Sequence, residues 1–126
     1  MLNWNDYPNF SESEFKCSCC GKTGVKKSFM DKLQALRTAY GKSMTVTSGY
    51  RCPNHPIEAK KSKPGSHASG YASDIHATGQ SAHAIMKLAF AMGFTGIGVN
   101  MKGAVKNRFV HLDTVRASPR PNVWSY

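Results

Sequence analysis

The sequence predicts an α+β fold, a small antiparallel sheet with two main helices packed on it. Three observations predict it. Val25 to Tyr40 and Gln80 to Gly93 carry apolar residues at helical spacing, and a glycine closes each. Short β-branched or alternating runs follow each helix, at Met44 to Ser48, around Asp74-Ile75-His76, and from Gly96 to Leu112. Within the last of these, Lys102-Gly103-Ala104 reads as a hairpin turn, which makes its two strands antiparallel. With 126 residues and 40% apolar content, the chain suits one domain, 1–126, around a single core.

Taken in order, residues 1–24 are turn-rich and irregular, with Ser11 to Phe15 able to form a capped helical turn. Cys17, Cys19 and Cys20, together with Cys52, are all the cysteines of the chain. Cys-x-Cys-Cys departs from the paired spacing of a zinc ribbon. Free buried thiols are the default reading, and a four-thiolate zinc or a disulfide such as Cys20 to Cys52 are the alternatives. No histidine stands out as partner for a nucleophilic thiol.

In the first helix Ser28 is the expected N-cap, with Asp31 closing a capping box. Phe29, Leu33, Leu36 and Tyr40 face the core, and Gly41 is the C-cap. The strand Met44 to Ser48 leads through Gly49-Tyr50 to Arg51. Pro53 to Lys63 is a basic connection, in which His55 reads as a surface or packing histidine and Glu58 as a carboxylate without a spacing argument for a role. In the second helix Ser81 is the expected cap. Ala82, Ile85, Met86, Ala89, Phe90 and Met92 form the apolar face, and His83 is expected to be exposed. Residues 118–126 read as an extended tail, from which Trp124 and Tyr126 fold back onto the domain.

The chemistry concentrates in Pro64 to His76. His67 is followed seven residues later by Asp74, and Gly65 and Gly70 let the backbone bend around them. Alternation in a strand puts Asp74 and His76 on one face, and His111 and Asp113 on one face of the later strand. On neighbouring strands, His67, Asp74 and His111 would offer two nitrogens and one oxygen to a single ion. Three protein ligands and an open position are what a catalytic zinc site requires.

The formal charge of +10, from 17 Lys plus Arg against 7 Asp plus Glu, draws the protein to polyanions. Nucleic acid and an anionic bacterial wall both qualify. The basic residues are dispersed and carry no recognition-helix or RNA-binding signature, so specific nucleic-acid binding is not expected. No apolar run approaches membrane-spanning length and no secretory leader is read at the N-terminus, so a cytoplasmic product, monomeric and without a transmembrane segment, is expected.

Ser48-Gly-Tyr-Arg-Cys-Pro-Asn-His55, the His67 to Asp74 segment, Gly96-Ile-Gly98 and Phe109-Val-His-Leu-Asp-Thr114 occur in an order and spacing that resembles the zinc D-Ala-D-Ala peptidases. That family includes murein carboxypeptidases, vancomycin-resistance dipeptidases and phage endolysins, with Hedgehog signalling domains as relatives. The resemblance runs from about Phe10 to the C-terminus. It implies a Hedgehog/DD-peptidase fold, one catalytic Zn2+ on His67, Asp74 and His111, and hydrolysis of an amide bond in peptidoglycan stem peptides. It also implies Arg51 as substrate binder and transition-state stabiliser. Many members carry a general base three residues before the last histidine ligand, and here that residue is Arg108. Asp113 is then the nearest replacement base, or else it orients a ligand. His76 is the alternative acid/base group or a contact to substrate. The short form, the absence of a read leader and the charge together resemble a phage endolysin reaching the cell wall after release. A non-catalytic zinc-binding module is the second reading.

Overall fold

The computed structural model describes residues 2–60 and 65–126. The basic residues Lys61 and Lys63, and Pro64 at the head of the His67 segment, lie outside the described residues. The element order is α1 (Lys27–Tyr40), β1 (Val46–Ser48), α2 (Pro56–Ala59), α3 (Ser66–Ser69), β2 (Ala72–His76), α4 (Gly79–Ala91), β3 (Gly96–Asn100), β4 (Phe109–Asp113) and β5 (Asn122–Ser125). Single 3-10 turns lie at Trp4–Asp6, Glu12–Phe15 and Val105–Asn107. The strands form one sheet in the order β1-β2-β4-β3-β5. The first three pairings are antiparallel, whereas β5 runs parallel to β3. The α+β class stands, and the tail expected to be merely extended supplies a parallel edge strand.

Alternation decides the two faces of the sheet. Ile75, Val110, Leu112 and Ile97 point into the core with Phe29, Met30, Leu33 and Leu36 of α1 and Ala82, Ile85 and Ala89 of α4. Asp74, His111 and Gly98 are paired across β2, β4 and β3, so they form one row on the opposite face. Lys32 Nζ donates to the carbonyls of Met92 (3.0 Å) and Gly93 (3.3 Å), tying α1 to the C-terminal end of α4.

Several local expectations are corrected. Helix α1 begins at Lys27, and its N-cap is Lys26, not Ser28, with no side-chain cap bond. Asp31 instead accepts from Tyr7 Oη at 2.7 Å and pairs with Lys27. That contact staples the N-terminal segment to α1. The N-terminal segment therefore contributes to the core: Tyr7, Phe10 and Phe15 are buried, and Trp4 stacks on Phe15 with ring centroids 5.6 Å apart. In α4 the N-cap is Thr78, and Ser81 Oγ reaches back to accept the Thr78 N–H at 2.9 Å. The connection between β3 and β4 is no tight hairpin turn. It spans eight residues, 101–108, with a 3-10 turn, and Arg108 donates to the Gly103 carbonyl at 3.0 Å to close it.

Candidate metal centre

Three elements meet at the site. Helix α3 is a single turn closed by Gly70 at φ +84°, a left-handed C-cap that a side chain would strain. It presents His67 beside the open face of the sheet. Strand β2 supplies Asp74 and β4 supplies His111, directly opposite one another in the register. All three side chains are buried. His67 Nε2 lies 3.3 Å and His111 Nδ1 3.0 Å from the same oxygen, Asp74 Oδ1. The three residues form a group whose donor atoms all lie within 4.8 Å of one another.

The outer hydrogen bonds fix which nitrogens face inward. His67 Nδ1 donates to the Gly49 carbonyl at 2.7 Å, leaving the Nε2 lone pair towards Asp74. His111 Nε2 lies 2.7 Å from Asp113 Oδ2, so it donates there and leaves Nδ1 facing Asp74. Two lone pairs aimed at one carboxylate oxygen repel unless a cation lies among them. Two donors held at about 2.1 Å from one ion in tetrahedral array are roughly 3.4 Å apart, close to the spacings here. The donor set therefore fits a divalent metal ion.

In the metal-free protein the buried charges of the group hold one another. Burial alone would raise the Asp74 pKa, but the bonds to His111 and His67 outweigh it and hold the carboxyl down to about 2. Burial likewise opposes charge on His111, yet Asp113 and Asp74 together raise its pKa. Asp113 is fully buried and its pKa is lowered: the His111 and Arg120 bonds prevail over desolvation. Its two oxygens receive His111 Nε2, Arg120 Nη2 at 2.7 Å, Arg120 Nε at 3.1 Å and the Val115 N–H at 3.2 Å.

Arg51 stands beside this group, with Nη2 3.7 Å from Asp74 Oδ2. It is held by Ser48 Oγ (3.1 Å) and by Glu58 Oε2 (3.2 Å). Glu58 is only 1% exposed, and its other oxygen accepts the Gly65 N–H at 2.7 Å, joining α2 to the start of α3. His76 is half-buried on the Asp74 face of β2, with Nε2 3.2 Å from the Val105 carbonyl. Ser66 Oγ is 3.5 Å from His111 Nε2. His83 is exposed on α4, away from the group, and His55 caps α2. Arg108 sits in the β3–β4 connection and offers no carboxylate.

Sequence reasoning missed Arg120 and the part played by Trp124. The indole lies over His111, with ring centroids 5.1 Å apart, and Arg120 stacks on the same indole at 4.7 Å. The Gly-Ile-Gly run held the signal. A Cβ on Gly98 would sit 2.5 Å from Trp124 Nε1, and one on Gly96 would overlap the Asp113 carboxylate. The two glycines are bare because Trp124 and Asp113 occupy the space above them. A cavity of about 620 Å3 lined by Tyr71, Thr95, Thr114 and Arg116 contains none of the three donor residues.

No curated protein matches the chain. The family model described as Peptidase M15 matches residues 8–113, a span that contains His67, Asp74, His111, Arg51 and Asp113. With that match and a buried His-Asp-His group able to hold one metal ion, the chain belongs to the Peptidase M15 family.

Proposed function

We propose that this peptidase is a single-domain, monomeric zinc enzyme that hydrolyses an amide bond in peptidoglycan stem peptides, in the manner of a phage endolysin. On this reading it is made in the cytoplasm and acts on the wall after release. The observation that carries the proposal is the convergence of His67 Nε2, Asp74 and His111 Nδ1 with Arg51 alongside. When bound, Zn2+ would supply Lewis-acid polarisation of the scissile carbonyl. Arg51, braced by Glu58 and Ser48, presents a planar guanidinium to a substrate carboxylate or to charge developing on the carbonyl oxygen. Asp113 acts in the proposal as a positioning residue, holding the His111 tautomer, with its own charge balanced by Arg120. Glu58 and Asp113 are thus both engaged by arginines, and His76, half-buried on the Asp74 face, is the proposed proton carrier or substrate contact. The excess of basic residues suits a wall rich in carboxylates and phosphates.

The test is release of new amino groups from purified peptidoglycan by the wild type, His67→Ala and Arg51→Ala, with mass spectrometry of the fragments to name the bond. The proposal expects release by the wild type, none by His67→Ala and a low residual level by Arg51→Ala. The occupation of Asp113 and the Arg108 substitution favour one second reading, a metal-holding module that binds the wall without cutting it. Zinc bound with no amino groups released would select that reading.

A further inference from the structure

Away from the His-Asp-His group, the chain gathers three sulfur atoms. Cys17, Cys20 and Cys52 place their Sγ atoms within 4.8 Å of one another, with Cys17 and Cys52 at 3.6 Å. Contrary to the expected departure from paired spacing, Cys17 and Cys20 are themselves a Cys-x-x-Cys pair. Their segment closes on itself: the Cys17 N–H donates to the Lys22 carbonyl and the Gly21 N–H to the Cys17 carbonyl, both at 2.8 Å. Gly21 takes φ +69° to make that turn.

We propose that Cys17, Cys20 and Cys52 hold a second metal ion, a thiophilic divalent cation of the Zn2+ class, with a structural role. Three soft thiolates in one place select such an ion over hard cations. The surroundings are built for thiolate. Cys17 Sγ accepts the Cys19 N–H at 3.4 Å and the Cys52 N–H at 3.3 Å. A disulfide would consume two of the three sulfurs and leave the third without purpose, whereas a metal uses all of them.

The position of the cluster states what it holds. The loop 49–52 is bonded alternately to the two sites. The Gly49 carbonyl takes His67 Nδ1, the Tyr50 N–H goes to the Phe15 carbonyl, the Arg51 N–H to the His67 carbonyl, and the Cys52 N–H to Cys17 Sγ. A metal on the three cysteines would pin one end of the loop that carries Arg51 and orients His67.

The experiment counts metal by elemental analysis in protein purified under reducing conditions, comparing wild type, Cys20→Ser and His67→Ala. Cys20 is exposed, so its substitution leaves the core intact, and circular dichroism checks this. Cys20→Ser is expected to lose about one zinc equivalent per chain, and His67→Ala to retain that equivalent. Loading with Co2+ should give thiolate-to-cobalt charge-transfer absorption, lost in Cys20→Ser and kept in His67→Ala. Equal zinc in wild type and Cys20→Ser overturns the proposal. So does a Co2+ spectrum without thiolate bands, or unfolding in chelator without reductant that exposes fewer thiols than the four cysteines of the chain. None of these outcomes depends on whether the chain cleaves peptidoglycan.

Discussion

Replacing Asp113 by Asn tests how His111 is held. Oδ2 accepts from both His111 Nε2 and Arg120 Nη2 at 2.7 Å, and Oδ1 accepts from Arg120 Nε at 3.1 Å and the Val115 N–H at 3.2 Å, with no solvent exposure. An amide keeps one acceptor oxygen and turns the other into a donor. With the oxygen in the Oδ2 place, the NH2 group faces the Arg120 Nε and Val115 donors; turned over, it faces His111 Nε2 and Arg120 Nη2. Either orientation sets donor against donor and removes the negative charge that holds the Nε2 proton and balances Arg120. Breaking a buried, hydrogen-bonded pair from one side costs about 3–5 kcal/mol, and the lower end applies because the amide keeps part of the network. Roughly 3 kcal/mol corresponds to a fall in Tm of about 12 °C for a domain of this size. Loss of an orienting partner also weakens metal binding by about 10–100-fold. Thermal melts in chelator and in Zn2+, with affinity measured by competition against a chromophoric chelator, read both effects. An Asp113→Asn protein that binds Zn2+ within about threefold of wild type and melts beside it would refute Asp113 as the group that orients His111.

Gly98→Ala should cost about 1–3 kcal/mol by overpacking and displace Trp124, since the new methyl would lie 2.5 Å from the indole nitrogen; urea unfolding and a shift in tryptophan emission check it. In the metal-free protein, Asp74 has its pKa lowered to about 2 and Asp113 is also lowered, so the stability they contribute is present above about pH 4 and is lost as pH falls through their folded values. His111 is raised, so its contribution is complete below about pH 6.5 and is lost as pH rises through its folded value. Melting in chelator should therefore peak between these limits, with Asp74 alone contributing about 2 kcal/mol to the acid limb; a flat profile from pH 3 to 8 would contradict the charge arrangement. Ser73 Oγ is buried and has no hydrogen-bond partner among the described residues, so Ser73→Ala should stabilise by about 1 kcal/mol in a denaturant titration.

The two long helices were legible because Phe29, Leu33 and Leu36, and Ala82, Ile85 and Ala89, repeat at the period of a helix packed on one side. The sheet was legible in part: alternation at Asp74-Ile75-His76 and at His111-Leu112-Asp113 separates core from open face. The caps were not, because Ser28 and Ser81 are both plausible by type and only the tertiary contact of Asp31 with Tyr7 decides the first. Strand β5 was hidden for a different reason. Asn122 to Ser125 has no strong strand pattern of its own and gains its conformation from pairing with β3. Arg120, Trp124 and the Glu58–Arg51 pair were likewise beyond periodicity, since each joins residues that only the folded chain brings together.

The bond from His67 to the Gly49 carbonyl has a consequence for anyone altering this protein. Its acceptor belongs to the main chain, so a substitution at position 49 acts on it only by moving the peptide, not by deleting the acceptor. What can remove it is displacement of the peptide itself. A Cβ at Gly49 would meet the Phe15 backbone at 2.6 Å, so even alanine there would push the carbonyl off the imidazole and unsettle a metal donor that it never touches.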